Sequence, residues 1–224
     1  MLAHNTSSTD ESLAQYIDKR GAAAKMGLNW LIAAISSMFF LFFVSYIIRS
    51  QVSDWEALSM PWQPLAETNQ LWINSLLLIL ASAAFEGARR EFGKPELGMS
   101  RELLWLAGAA SLAFLLGQSV AWNFLVVRGF YIESNPANSF FFLLTGLHAL
   151  HLAGGLVAWI VANFRLTQAI RAGDDKSQGL ARISMDLCAI YWHFLMALWL
   201  VVFALISSSP STYAAIAEFC GLTL

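Results

Sequence analysis

The stretch Leu28-Asn-Trp-Leu-Ile-Ala-Ala-Ile-Ser-Ser-Met-Phe-Phe-Leu-Phe-Phe-Val-Ser-Tyr-Ile-Ile48 runs for 21 residues without a charged side chain. As an α-helix rising 1.5 Å per residue it would be about 31 Å long, enough for the hydrocarbon core of a bilayer. Its apolar residues do not alternate with polar ones, as a strand of a membrane barrel would require. Four more apolar runs that approach or exceed about 20 residues follow: Leu71 to Ala88, Leu103 to Val127, Phe140 to Phe164 and Ile183 to Ile206. A helix satisfies every backbone polar group within itself, so the expected fold is all-α, an integral membrane bundle of five transmembrane helices.

Composition agrees. Of the 224 residues, 58% are apolar and 12% charged, against roughly 25% charged in soluble domains. The net charge of −2 gives no basic face for nucleic acid. Cys188 and Cys220 have no CxxC spacing, and no disulfide or metal site is expected of them. Residues 1–27 are polar and include Asp10, Glu11 and Asp18, unlike a signal peptide, so the first span is expected to remain in the mature chain.

Lysine and arginine are distributed unevenly. Eleven fall before the first span or between the second and third and the fourth and fifth: Lys19, Arg20, Lys25, Arg89, Arg90, Lys94, Arg101, Arg165, Arg171, Lys176 and Arg182. Only Arg49 and Arg128 lie on the other side. The positive-inside rule therefore predicts a cytoplasmic N-terminus and an outer C-terminus. On this reading residues 1–27 are a cytoplasmic segment, 28–206 the membrane domain and 207–224 an outer tail, with a brief helix over Tyr213 to Phe219. The outer loop Ser50 to Gln70, with Trp55, Pro61, Trp62 and Pro64, suits a segment lying at headgroup depth.

Polar side chains within the spans are costly and need individual readings. His148 and His151, three residues apart, share a helix face, and His193 sits near the middle of the fifth span beside Trp192. They could converge on a metal or haem, or each could hydrogen-bond to a neighbouring helix. The second reading is preferred, because no carboxylate, cysteine or fourth histidine accompanies them at matching depth. Glu86 has Arg89 and Arg90 at i+3 and i+4, a spacing that permits an intramembrane ion pair. Asp186 is placed in the first turn of the fifth helix, near the positive end of its dipole. Asn74, Ser75, Ser82 and Gln118 are expected to bond between helices. Gly146, Ala149 and Ala153, with Gly154 and Ala158 beside them, form a small-residue stripe suited to close helix approach. No phosphate-binding glycine loop, HExxH or GxSxG is present, so no independent active site is expected.

Two motifs carry a resemblance. Thr145-Gly146-Leu147-His148-Ala149-Leu150-His151-Leu152-Ala153-Gly154-Gly155 resembles the TGxHGxHVxxG stretch of subunit III of haem–copper oxidases. Tyr191-Trp192-His193-Phe194-Leu195, followed by Trp199, resembles that family's YWHFxDxxW. Asn74-Ser75 with Ser82, and Gln118 with Trp122, are weaker matches. The resemblance implies the five-helix bacterial form in a bacterial inner membrane, carrying no cofactor itself. It implies partners in subunit I, which carries haem and copper, and subunit II, with bound phospholipid in a cleft and a role in sustained proton-coupled oxygen reduction, from cytochrome c or quinol. His148, His151, Trp192, His193, Trp199, Gln118, Trp122 and Asn74 are then packing or lipid-cleft residues. Three positions where the family commonly carries an acid read Ser37, Ala121 and Met196, marking a divergent member. Other readings are the accessory homologue of a nitric oxide reductase, a free-standing b-type haem or metal protein, and a scaffold or transporter fragment.

Overall fold

The computed structural model describes residues 3–56, 58, 69–92, 97–219 and 221, with side chains from residue 11 onward. Among the described residues it has six helices: α1 (Ala3–Arg49), α2 (Asn69–Glu91), α3 (Gly98–Val127), α4 (Pro136–Ala172), α5 (Asp175–Ser207) and α6 (Pro210–Phe219). The first five are long and apolar enough to cross a membrane. Pro61, Trp62, Pro64, Lys94 and Cys220 lie outside the described residues.

The helices outrun their apolar stretches. α4 and α5 continue past Phe164 and begin before Ile183, so that only Gly173 and Asp174 separate them. Hydropathy marks where a helix leaves the hydrocarbon, and residues such as Arg165, Gln168, Arg171 and Lys176 are good helix formers on either side of that boundary. The turn is built locally. Gly173 adopts φ 65°, the left-handed conformation that ends a helix. Asp174 then caps α5 by accepting from Ser177 N at 3.2 Å. Hydrogen bonding from the Ser177 side chain, and then from its backbone N–H, holds the Asp174 carboxyl below its ordinary pKa. At the opposite end Asn135 caps α4, accepting from Ala137 N at 3.0 Å with Pro136 in the first turn. The early start of α5 corrects the placement of Asp186, which stands three turns into the helix, beyond the reach of the terminal dipole.

α1 has 47 residues, about 70 Å of helix. Its lower half runs parallel to the start of α5. A Cβ on Gly179 would lie 2.6 Å from Ile17, and one on Gly21 would lie 3.5 Å from Ile183, matching steps of four residues on each helix. α2, α3, α4 and α5 form the bundle, while α1 lies against α4 and α5 with only 17% of its apolar stretch buried. α6 folds back so that the Tyr213 and Tyr46 hydroxyls meet at 3.1 Å; it begins at Pro210, a turn before the expected Tyr213. After α1, Arg49 closes a turn on Asp54 through two 2.6 Å hydrogen bonds, and Trp55 packs edge-on against Tyr46.

Candidate functional site

Four indole N–H groups join the helices of the bundle. Trp122 on α3 donates to Thr145 Oγ1 on α4 at 3.0 Å, and Trp159 on α4 donates to the Leu104 carbonyl on α3 at 2.8 Å. From α5, Trp192 donates to Ser111 Oγ on α3 at 2.8 Å and Trp199 to Ser75 Oγ on α2 at 2.9 Å. Each bond places the polar edge of an otherwise apolar side chain on a partner where water is excluded. Glycines make room for the rings. A Cβ on Gly108 would stand 2.3 Å from Trp159, and one on Gly155 would stand 2.9 Å from Trp192.

Asn74 fits in the same way. Its Nδ2 donates to Gln118 Oε1 at 3.3 Å, and its carbonyl lies where a Cβ on Gly117 would have to be. Gln118 and His148 are both fully buried. His148 lies between Phe114, edge-on at 5.7 Å, and Trp199 at 5.1 Å, and neither of its ring nitrogens has a hydrogen-bond partner among the described residues.

The three histidines do not meet. His151 Nδ1 is 2.7 Å from the carbonyl of Leu147 on its own helix, its ring faces Phe39 of α1, and its carbonyl accepts from Tyr191 OH at 3.1 Å. His193 points away from both, to α2, where Nδ1 hydrogen-bonds Ser82 and Nε2 lies 3.5 Å from Glu86 Oε2. No group of three His, Cys, Asp or Glu able to hold a metal occurs among the described residues.

Glu86 is the centre of an ionic cluster. Arg89 donates to it through Nε at 2.9 Å and Nη2 at 2.7 Å, and Arg90 through Nε at 2.7 Å. Asp186 of α5 approaches Arg89 at 3.7 Å. Of the positions where the family carries acids, Ser37 is exposed and bonded to the Ala33 carbonyl, Ala121 is buried, and Met196 is half-buried.

The small-residue stripe of α4 needs correction. Ala153, Gly154 and Ala158 are exposed, and no atom lies within 4 Å of a Cβ on Gly154. Gly155, one residue on, is the position pressed against α5. The stripe instead borders a groove of about 560 Å³ between α1, α4 and α5, lined by Leu28, Leu150, His151, Leu187 and Tyr191 among others. Arg165 lies at the basic end of the groove and donates to Ser184 Oγ at 2.6 Å. Sequence reasoning missed Ser111 and Trp159, and it named Thr145 only as part of a motif and Arg165 only in the charge count, not as bonding residues. The one available signal was that each is a hydrogen-bonding residue in or beside an apolar run.

No family model matches the chain. It is similar to the probable cytochrome c oxidase subunit 3 of Mycobacterium leprae, 28% identical over 180 residues, covering 79% of this chain and 83% of the relative. It is also similar to the cytochrome c oxidase subunit 3 of Thermostichus vulcanus, 25% identical with 81% and 85% covered. The corresponding probable subunit of Nocardia farcinica is 27% identical, with 79% and 83% covered. Five membrane-length helices, the two histidine motifs and this agreement over four fifths of the sequence point the same way: the chain is a multi-pass membrane protein similar to subunit 3 of cytochrome c oxidases.

Proposed function

We propose that the chain is a non-catalytic subunit of a haem–copper terminal oxidase, packing on subunit I beside subunit II in a bacterial inner membrane, with its N-terminus in the cytoplasm. The observation that carries this reading is where the family-motif side chains point. Trp192, Trp199, Trp122 and Asn74 are engaged in bonds between helices, and His148 is enclosed by aromatic rings. Such an interior supports a rigid bundle and leaves oxygen chemistry to haem and copper in subunit I.

The groove between α1, α4 and α5 is the candidate lipid site. Its walls are apolar, which suits acyl chains, and Arg165 at its basic end suits a phosphate headgroup. The same end carries the excess of arginine and lysine that predicts the cytoplasmic side.

The test is a pull-down of the tagged chain in mild detergent from membranes that contain the oxidase. A larger subunit with haem and copper is expected; recovery of the chain alone would sink the reading. A haem subunit without copper would favour the nitric oxide reductase relationship, which the missing acids at Ser37, Ala121 and Met196 make the second reading.

A further inference from the structure

The ionic cluster on α2 and α5 faces out of the bundle. In the His193–Glu86 contact the side chains are 42% and 20% exposed, and Arg89 is 43% exposed. His193 is seven residues beyond Asp186 on α5, about 10 Å further along the helix than the Arg89–Asp186 contact. Ionisable side chains at membrane depth face a bundle interior or a water-filled cavity, because acyl chains offer them no partner. At the depth of His193, no helix of this chain among the described residues covers that side.

The surrounding surface is shaped for a helix. Ile79 and Ala83 on α2 and Ile190 and Ala197 on α5 are all exposed around the cluster. The two alanines would let another backbone approach closely. Towards the basic end, Arg89, Arg90 and Arg182 line a cleft with Asp186. Counting Glu86 as well, three cations face two acids among the described residues of this cluster, which leaves one positive charge over. Among the described residues Arg182 makes no ion pair, and Arg90 uses only Nε, its side chain 74% exposed.

We propose that the α2–α5 seam around Glu86 and His193 is the docking face for a transmembrane helix of a neighbouring oxidase subunit. That helix is apolar opposite Ala83 and Ala197 and presents a carboxylate or free carbonyl at the depth of Arg90 and Arg182. The inference rests on the reading of the chain as an oxidase subunit and adds which surface does the docking.

Photo-crosslinking in native membranes tests it. A photoreactive residue replaces Ala83 or Ala197 in the tagged full chain, and Leu116, exposed on α3, serves as the control. The expected result is an adduct with another oxidase subunit from positions 83 and 197 and none from 116. If the probe itself blocks docking, the complex is lost while the helical circular dichroism and melting of the chain stay unchanged, which identifies the same face. The charge reversal of Arg90→Glu with Arg182→Glu is expected to release the folded chain from its complex. Protein adducts from position 116 alone, or only lipid adducts at 83 and 197 in an intact complex, would overturn the inference and leave the proposed function standing. A wild-type chain that brings down no partner overturns the proposed function itself.

Discussion

Trp199 of α5 and Ser75 of α2 are 124 residues apart in sequence, yet the indole Nε1 donates to the serine hydroxyl at 2.9 Å in a fully buried site. The same indole packs edge-on against Phe114 at 4.9 Å and lies at a 39° tilt to the His148 ring at 5.1 Å, so one side chain ties together α2, α3, α4 and α5. Trp199→Phe keeps most of the ring and loses the hydrogen bond, with an expected cost of about 1 kcal/mol. Trp199→Ala also leaves a cavity and should cost about 3–5 kcal/mol. Unfolding in mild detergent measures both. Combining Trp199→Phe with Ser75→Ala should cost less than the sum of the two singles, since both remove the same bond.

Glycine positions that look alike in sequence should respond differently. Gly108→Ala puts a methyl 2.3 Å from the Trp159 ring, which must shift and weaken its bond to Leu104. The expected loss is about 1–3 kcal/mol. Gly154→Ala adds a methyl where nothing lies within 4 Å and should change stability by less than about 0.5 kcal/mol. Equal melting shifts in the two variants would contradict the packing described here.

The histidines separate in the same manner. Among the described residues His148 has two unpartnered nitrogens, set between aromatic rings, so His148→Phe removes a buried polar group and should be neutral or stabilising. His193→Phe gives up its bond to Ser82 and leaves Glu86 with one contact fewer, and is expected to lower stability by about 1–3 kcal/mol. The purified chain should show no Soret band before or after either change. A band lost in His148→Ala or His193→Ala would establish a haem instead.

Two carboxylates outside the spans give a pH prediction. The Arg49 guanidinium holds the Asp54 carboxyl below its ordinary pKa, and the Ser177 hydrogen bond does the same for Asp174. A depressed pKa means that each contribution is present above the unfolded value, near 4, and is lost as pH falls through the folded one. Amide exchange in the first turn of α5, corrected for the intrinsic pH dependence, should be flat from about pH 5 to 8 and accelerate below about pH 4. Asp174→Asn should cap without the acid-induced loss.

Hydropathy and charge were enough for the five helices, because a span must be long, apolar and continuous whatever surrounds it. They could not locate helix ends, since Arg165 to Ala172 and Asp175 to Arg182 carry polar residues and are helical all the same; this is why Asp186 was assigned to a first turn. The rotation of each helix about its axis was equally hidden. His148 and His151 share a face by spacing, but only packing decides that one meets Phe114 and Trp199 while the other meets Phe39. The Glu86–Arg89–Arg90 spacing was readable because all three lie on one helix. The pairing of the tryptophans was not: Ser75 could be expected to bond between helices and Thr145 opens a motif, but nothing in sequence matches either to Trp199 or Trp122, and Ser111 has nothing to distinguish it from other small polar residues.

The central claim is that this chain holds an oxidase together without contributing to its metal centres. It is tested most directly by purifying the catalytic subunits from cells with and without the chain and measuring haem and copper per catalytic subunit together with oxygen uptake over repeated turnovers. The account predicts unchanged metal content and initial rate, with activity decaying sooner when the chain is absent. Haem or copper missing from an otherwise intact catalytic subunit would contradict it.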